Sequence, residues 1–334
     1  MENATKLRLL YLYQYLVRHT DADHPVSTTQ LIRFLKDQYQ IDVNRNTLAN
    51  DFKMLEKAGI NIEVRLSRQN MYYYDGALFD IPELKILIDA VSASKFITKK
   101  KSNQLISKLL TLTAESQAAQ LRRYTDVDHR VKSENESGYY IVDVLNEAIE
   151  KKCKVQFQYT NYSPRKQRIL RHGGTFYTVS PYRLVWDGDY YYLIGFSETR
   201  GIIQNFRLDR IYRTPDLLPE QQAIPLPKGF KLEEYYKTVF RMFGSNNPIN
   251  IQLTCKSHAM NSVVDHFGMK VHVLDSCEEQ FTIEAPVCLS PTFYRWVFGW
   301  NGDVKILAPQ NAVDEYRAMC RRGLEETVSI PKET

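Results

Sequence analysis

The sequence is poor in cysteine and has no long hydrophobic run, and both features exclude whole classes of protein. Its 334 residues include five cysteines, none of them spaced as in a CxxC motif. This usage predicts neither a disulfide framework nor a zinc site, and it favours a reducing, cytoplasmic location. No apolar run reaches the roughly 18 residues that a membrane span needs, so we expect no membrane partner. The segment MENATKLRLL also lacks the features of a secretory signal.

The common catalytic and nucleotide-binding motifs are missing as well. The sequence contains no GxGxxG, GxxxxGK[ST], HExxH or GxSxG. Its seven histidines are dispersed, and neither His266 nor His272, which lie six apart, has a nearby cysteine at metal-ligand spacing. We therefore expect no catalytic residues, no metal site and no cofactor. A site assembled from acidic residues far apart in the chain is the alternative that a single sequence leaves open.

Positive charge is concentrated in one short part of the chain. The net charge of the whole protein is +5, but residues 151–213 alone hold 12 Lys and Arg against 4 Asp and Glu. The same stretch contains eight of the 22 tyrosines. Basic side chains interleaved with flat rings suit a nucleic acid, because they can bind its phosphates and stack on its bases. An ordinary small β-barrel with an aromatic core and solvated lysines is the alternative.

Residues 1–75 have the pattern of three helices followed by a β-hairpin. Leucines at helical spacing predict the first helix, and Ser27-Thr-Thr-Gln30 is a capping-box pattern that opens the second. Asn44 is a good N-cap for the third. Apolar and polar residues alternate over 60–66, which predicts a strand, and the apolar stretch 71–74 predicts a second one. The polar residues between them predict the tip of a hairpin. This is the element order of a winged helix-turn-helix domain.

The third helix has the side chains of a DNA reader on its polar face. Leu48, Phe52 and Leu55 share the other face and should pack inward. Arg, Asn and Lys near a helix N-terminus can reach base edges in the major groove, and Thr can bind a phosphate. The predicted DNA-binding residues of this helix and of the hairpin are Arg45, Asn46, Thr47, Asn50, Lys53, Arg65 and Arg68. Any amphipathic helix has a polar face, so the prediction depends on the whole order of elements.

The segment VNRNTLANDFKMLEKAGINIE resembles the recognition helix and wing entry of bacterial winged-helix regulators. Those proteins commonly carry Arg before the Asp, where this chain has Asn50.

Residues 76–150 are predicted as a helical connector, whose first helix starts at Asp80 and Pro82. Its leucine-rich helices are a natural place for dimerisation, and palindromic bacterial operators favour a homodimer.

Residues 151–213 are predicted to be β-rich, with Asp187-Gly188 as a hairpin turn. The segments YYYLIGF at 190–196 and NFRLDRI at 205–211 match the two signatures of the WYL domain, with Tyr191 in the tryptophan position. The chain thus resembles the WYL family, whose domain is a small Sm/SH3-like barrel. That resemblance implies a nucleic-acid or nucleotide ligand that switches an attached DNA-binding head.

The resemblance also places a candidate effector site on strands of the barrel, with the residues Tyr159, Tyr182, Arg183, Tyr192, Arg207 and Arg210. Strand alternation turns Phe206 and Leu208 inward, so Arg207 is expected to face outward and to be available to an anion. We expect Arg207 and Arg183 to hold a phosphate while Tyr182 or Tyr192 stacks on a base. Arg210 either joins this pocket or pairs with an acid such as Asp209.

Residues 214–244 are predicted as a linker, and residues 245–325 as a ferredoxin-like α/β domain with the order β-α-β-β-α-β. The stretch FGSNNPINIQL resembles the C-terminal extension that accompanies WYL domains.

The sequence as a whole predicts an α+β multidomain protein. Its predicted function is transcription regulation, with double-stranded operator DNA as partner and a single-stranded nucleic acid or nucleotide as effector. The alternatives are a DNA-binding protein whose barrel binds another protein, and a constitutive single-strand-binding protein.

Overall fold

The computed structural model of the chain describes residues 2–66, 69–123, 125, 127, 129–232, 235, 238–240, 242 and 248–325. It is a mixed α+β protein, as the sequence predicts. The chain divides into two compact units, residues 1–136 and residues 137–334. Over the described ranges, no helix combines the length and the apolar character that crossing a membrane requires.

The first unit begins with three helices and a small antiparallel sheet. Their bounds are α1 Glu2–His19, β1 Val26–Ser27, α2 Thr28–Tyr39, α3 Arg45–Lys57, β2 Ile62–Arg65 and β3 Met71–Tyr74. Strand β3 lies between the other two, in the order β1-β3-β2. Buried leucines from all three helices form the core, and the ring of Phe52 stacks on that of Tyr72 with centroids 4.1 Å apart. The helices and the hairpin therefore share one core.

Two helix starts in this unit have the predicted caps. The backbone N–H of Ser27 donates to Oε1 of Gln30 at 2.8 Å, and the Gln30 N–H donates to Oγ of Ser27 at 3.3 Å. At α3, the N–H of Thr47 donates to Oδ1 of Asn44 at 2.8 Å. Such caps satisfy backbone donors that have no partner within the helix, so they fix where each helix begins.

Three further helices complete the first unit: α4 Ile81–Ala93, α5 Lys99–Leu109 and α6 Glu115–Arg123. Leu84 and Ile88 of α4 pack with Ile106 and Leu110 in a separate small core. The predicted helix start holds, with Pro82 in the first turn and the N–H of Asp80 donating to Oε2 of Glu83.

The second unit opens with a helix packed on an antiparallel β-sheet. The elements are α7 Gly138–Lys151, β4 Cys153–Phe157, β5 Thr160–Tyr162, β6 Arg168–Leu170, β7 Tyr177–Asp187, β8 Tyr190–Ser197, β9 Ile202–Arg207 and β10 Asp216–Gln222. Five strands form one sheet in the order β10-β4-β7-β8-β9, whereas β5 and β6 pair separately. A bridge between Tyr159 and Ile211 connects the chain just after β4 to the chain just after β9. The predicted turn at Asp187-Gly188 joins β7 to β8, with Asp187 opposite Tyr190.

Two elements differ from their predicted assignments. Helix α7, predicted as the end of the connector, contacts β4 and β7 through a stripe that includes the fully buried Ile141, Leu145 and Ala148. The segment predicted as a linker contains β10, which pairs with β4. The pairing of β10 with β4 is irregular, with a register shift between Leu218 and Gln222. Pro219 lies within that shift, and proline has no backbone N–H to donate to the neighbouring strand.

The rest of the second unit is a four-stranded antiparallel sheet with helices on one face. Its elements are β11 Ile249–Lys256, α8 Met260–Phe267, β12 His272–Ser276, β13 Gln280–Val287, α9 Pro291–Phe298, β14 Val304–Ala308 and α10 Gln310–Glu325. The strand order is β12-β13-β11-β14. This succession up to β14 is the β-α-β-β-α-β order that the sequence predicts. Its core includes Ile251, Leu253, Ile283, Phe293 and Val297.

Candidate functional site

Helix α3 separates its apolar and polar residues as predicted. Leu48, Phe52 and Leu55 are buried in the core of the first unit. On the other side, the exposed residues are Arg45, Asn46, Asn50 and Lys53. They extend over nine residues from the N-terminal end of the helix, which is the end that usually reaches base edges. These four residues present one guanidinium, two amides and one ammonium to solvent.

A buried ion pair holds α3 against α1. Nε of Arg8 donates to Oδ2 of Asp51 at 2.6 Å, and Nη2 donates to Oδ1 at 2.8 Å. The two side chains are 12% and 2% exposed. The hydrogen bond to Asp51 outweighs the effect of burial and raises the pKa of Arg8 above its usual value. This bidentate contact fixes the rotation of α3 about its axis, and with it the direction of the polar face.

The remaining predicted DNA-binding residues have more constrained surroundings. Thr47 is half-buried, and its hydroxyl donates to Oδ1 of the capping residue Asn44 at 2.9 Å. Arg65 is exposed on β2, where its Nη2 donates to the carbonyl oxygen of Ala22 at 2.9 Å. Arg68 lies outside the described residues. A phosphate contact of Thr47 would therefore have to share a hydroxyl that the helix cap already uses.

In the second unit, Arg207 is the centre of a polar cluster at the end of β9. Its Nε and Nη2 donate to the two carboxylate oxygens of Asp209 at 3.1 and 2.7 Å. The guanidinium also lies over the ring of Tyr190, 3.3 Å from the centroid. Burial disfavours the charged guanidinium, but the bonds and the charge of Asp209 outweigh it and raise the pKa of Arg207. The side chain is half-buried and paired, so the prediction that it faces outward and is available is wrong.

The cause is the course of the backbone after Arg207. Strand β9 ends there, and Leu208–Arg210 form one turn of 3₁₀ helix. The tight turn brings the carboxylate of Asp209 within hydrogen-bond distance of the Arg207 guanidinium, two residues earlier. Phe206 and Leu208 are buried, as predicted.

Tyr159 and Tyr192 belong to cores and are not available for stacking on a base. Tyr159 is 6% exposed, its hydroxyl accepts the backbone N–H of Arg207 at 2.9 Å, and burial raises its pKa to about 12. Tyr192 lies opposite Arg207 in the β8–β9 register, but it is buried in a cluster with Tyr235 and Val239 from the segment after β10. The prediction that Tyr192 stacks on a base is therefore wrong, and Tyr159, predicted as an effector residue, is a core side chain.

The other three predicted effector residues remain accessible in part. Arg183 is exposed, and Arg210 is half-buried. Tyr182 is half-buried, and its hydroxyl donates to the carbonyl oxygen of Pro225 at 3.3 Å. A register shift between Pro181 and Arg183 interrupts the alternation of β7 at this point. The structure therefore brings Arg207, Tyr159 and Tyr192 together, with both rings buried and the Arg207 guanidinium paired with Asp209.

The sequence did not identify Arg8 as the partner of Asp51, or Asp209 and Tyr190 as the partners of Arg207. Arg8 precedes the fully buried Leu12 and Leu16 by one and two helical turns, so a charged residue interrupts an apolar stripe. That interruption was a signal in the sequence. For Tyr190 the signal was its spacing of two from Tyr192, which puts both rings on one face of β8.

A family model matches part of this chain, and solved structures are similar to it. Residues 140–214 match the family model described as WYL domain. A solved structure of the proteasome accessory factor B/C (PafBC) of Arthrobacter aurescens matches with 17% identity and a TM-score of 0.28, covering 99% of this chain. This chain spans only 49% of that protein. A structure described as a CRISPR Cas-related protein matches with 14% identity and a TM-score of 0.37. The match covers 96% of this chain and 91% of the chain of that protein.

No curated protein matches the sequence. In the described part of the chain, His, Cys, Asp and Glu do not gather into a group of three or more that could hold a metal ion. The family match begins in α7 and ends after β9, so it contains the YYYLIGF and NFRLDRI segments on which the resemblance was based. Residues 140–214 are therefore similar to the WYL domain, and this segment is called the WYL domain below.

Proposed function

We propose that this protein is a bacterial transcription regulator whose first 75 residues act as a winged helix-turn-helix domain on double-stranded operator DNA. The observation that carries the proposal is the exposed polar face of α3. Arg45, Asn46, Asn50 and Lys53 offer the side-chain chemistry that reads guanine and adenine edges and neutralises phosphates. The Arg8–Asp51 pair supports this role because a rigid helix positions base contacts precisely.

The hairpin β2–β3 would serve as the wing. Arg65 on β2 is exposed. Arg68, which lies outside the described residues, is predicted from the sequence to belong to the polar tip between the strands. Phosphate contacts from a wing fix the orientation of the protein on the duplex and carry no base information. Arg68 is therefore the natural control for the residues of α3.

The base contacts can be tested by substitution. Arg45→Ala and Asn46→Ala should each weaken binding to the preferred duplex by about 1–3 kcal/mol, because each removes hydrogen bonds to a base edge. Fluorescence anisotropy on a duplex selected from a randomised library, and on a scrambled version, measures both affinity and discrimination. Both variants should discriminate less between the two duplexes.

Arg68→Ala should weaken binding to both duplexes by the same factor, since a phosphate contact is indifferent to sequence. If Arg45→Ala behaves like Arg68→Ala, α3 does not read bases in the major groove. The proposal of a sequence-specific head would then fail.

For the WYL domain, we infer a sensor of an anionic ligand of the nucleic-acid or nucleotide class. A phosphate could replace the carboxylate of Asp209 on Arg207, since both groups suit bidentate hydrogen bonding. Arg183 and Arg210 could add charge, and the partly accessible Tyr182 could stack. A ligand that binds one arrangement of the DNA-binding heads better would shift the population towards it and change operator affinity.

A barrel that binds another protein is the second candidate. It is favoured by the burial of Tyr159 and Tyr192, which leaves fewer rings for a base. Isothermal calorimetry with short DNA and RNA oligonucleotides and cyclic nucleotides separates the two candidates. Heat of binding that disappears in Arg207→Ala supports the sensor, and the absence of binding by every probe supports the protein-interaction barrel.

A homodimer follows from the proposed operator binding, because two-fold symmetric operators match two-fold symmetric proteins. Light scattering at micromolar concentration should report about twice the chain mass of 39.1 kDa. A monomer at every accessible concentration that still binds one palindromic duplex tightly would contradict the dimer.

A further inference from the structure

The hairpin β5–β6 is a basic surface that none of the predicted sites includes. Residues 160–176 contain four Lys and Arg and no Asp or Glu. Arg165 and Lys166, at the tip, are exposed. Within the part of the chain that the structure describes, neither of them forms an ion pair. Their charge is therefore available to an anion from solution, which is not true of Arg207.

The same hairpin exposes apolar groups beside these charges. Tyr162 is 60% exposed and lies opposite Arg168 in the β5–β6 register. Ile169 on β6 and Phe176 just before β7 are also exposed. Exposed rings among unpaired cations suit a ligand with both phosphates and flat bases.

The tip is held in one conformation by its own hydrogen bonds. The N–H of Lys166 donates to the Ser163 carbonyl at 2.9 Å, and the N–H of Ser163 donates to the Gln167 carbonyl at 2.8 Å. The N–H of Gln167 also donates to Oγ of Ser163 at 3.2 Å. A turn fixed in this way loses little conformational entropy when a ligand binds.

The base of the hairpin is joined to the chain around Arg207 and Asp209. Nη2 of Arg168 donates to the carbonyl oxygens of Asp209 and Ile211 at 3.3 and 3.2 Å. The hydroxyl of Thr160 donates to the carbonyl oxygen of Arg210 at 2.8 Å. A polymeric anion bound near Arg210 could therefore continue onto the hairpin.

We propose that the β5–β6 hairpin is a binding site for single-stranded nucleic acid. Arg165 and Lys166 bind backbone phosphates, and Tyr162 stacks on a base. A single strand fits better than a duplex because its base faces are open to a protruding ring. The inference rests on the proposed function, since it extends the ligand contact of the WYL domain from Arg207 onto the hairpin.

The test is fluorescence anisotropy with the full-length protein and labelled 20-nucleotide oligothymidylate or oligouridylate. Arg165→Ser with Lys166→Ser should weaken binding about tenfold at moderate salt, and the slope of log affinity against log salt should fall by about 1.4. Tyr162→Ala should also weaken binding about tenfold, whereas Tyr162→Phe, which keeps the ring, should bind like wild type. The charge control is Lys100→Ser with Lys108→Ser, which removes two exposed positive charges from α5 and should change little.

The outcomes distinguish this inference from the proposed function. If the hairpin variants bind like wild type while Arg207→Ala does not, the hairpin inference fails and the proposed sensor site stands. If wild type binds neither oligonucleotide, both the hairpin site and a single-stranded effector are excluded. If the α5 control loses as much affinity as the hairpin variant, binding follows net charge alone and the hairpin is not a site.

Discussion

Replacing Arg8 with alanine is expected to destabilise residues 1–75, the proposed DNA-binding head, while the second unit stays folded. Asp51 would remain as a carboxylate with 2% of its side chain exposed and without its guanidinium partner. Breaking a buried pair from one side costs about 3–5 kcal/mol, because the remaining charge is neither solvated nor paired. Hydrogen exchange measured by mass spectrometry should show faster exchange in peptides of α1 and α3, and unchanged exchange in α7 and the barrel.

The control is an exposed ion pair between a basic and an acidic side chain of the same unit. Lys85 and Asp89 are paired one turn apart on α4, with 32% and 54% of their side chains exposed. Lys85→Ala should cost less than about 0.5 kcal/mol, since exposed pairs contribute little. Joint replacement of Arg8 and Asp51 by alanine should be less destabilising than the two single changes added together. Equal, small effects of Arg8→Ala and Lys85→Ala would contradict the assigned role of the buried pair.

Arg207→Ala is expected to abolish the response of the WYL domain to its ligand. The proposed phosphate contact depends on the planar donor fork of the guanidinium, which alanine lacks. Isothermal calorimetry with the oligonucleotide that binds wild type should then show no heat above dilution. Circular dichroism verifies that the variant is folded.

Asp209→Asn is a matched variant that should change the affinity for the ligand in the opposite direction. In the proposed mechanism the carboxylate of Asp209 competes with the ligand for Arg207, so removing its charge should tighten ligand binding. Weaker binding by Asp209→Asn would show that Asp209 supports the ligand site rather than occupying it. Unchanged binding by Arg207→Ala would place the ligand elsewhere.

Short-range features were predictable from the sequence because their causes are local. The caps at Ser27 and Asn44 depend on residues three positions away, and the turn at Asp187-Gly188 depends on two residues. The apolar faces of α3 and of the C-terminal sheet follow from periodicity alone. These patterns identify elements and the face that each one buries.

The errors at the effector site have a long-range cause. Alternation correctly puts Tyr190 and Tyr192 on one face of β8, but it cannot tell what covers that face. The cover comes from residues such as Tyr235 and Val239, which lie more than 40 positions further along the chain. The Arg8–Asp51 pair joins two helices 43 positions apart. A charged residue in an apolar stripe indicates that a partner exists, without identifying it.

In the proposed function, ligand binding at the WYL domain changes the affinity of the protein for its operator. The most direct measurement is the anisotropy of a labelled selected duplex, titrated with wild type in the absence and presence of a saturating single-stranded oligonucleotide or nucleotide. The protein concentration at the midpoint of the titration should shift by about 5- to 150-fold for wild type, as is usual for allosteric coupling. It should not shift for Arg207→Ala. Superimposable wild-type curves, for a ligand that calorimetry shows to be bound, would contradict it.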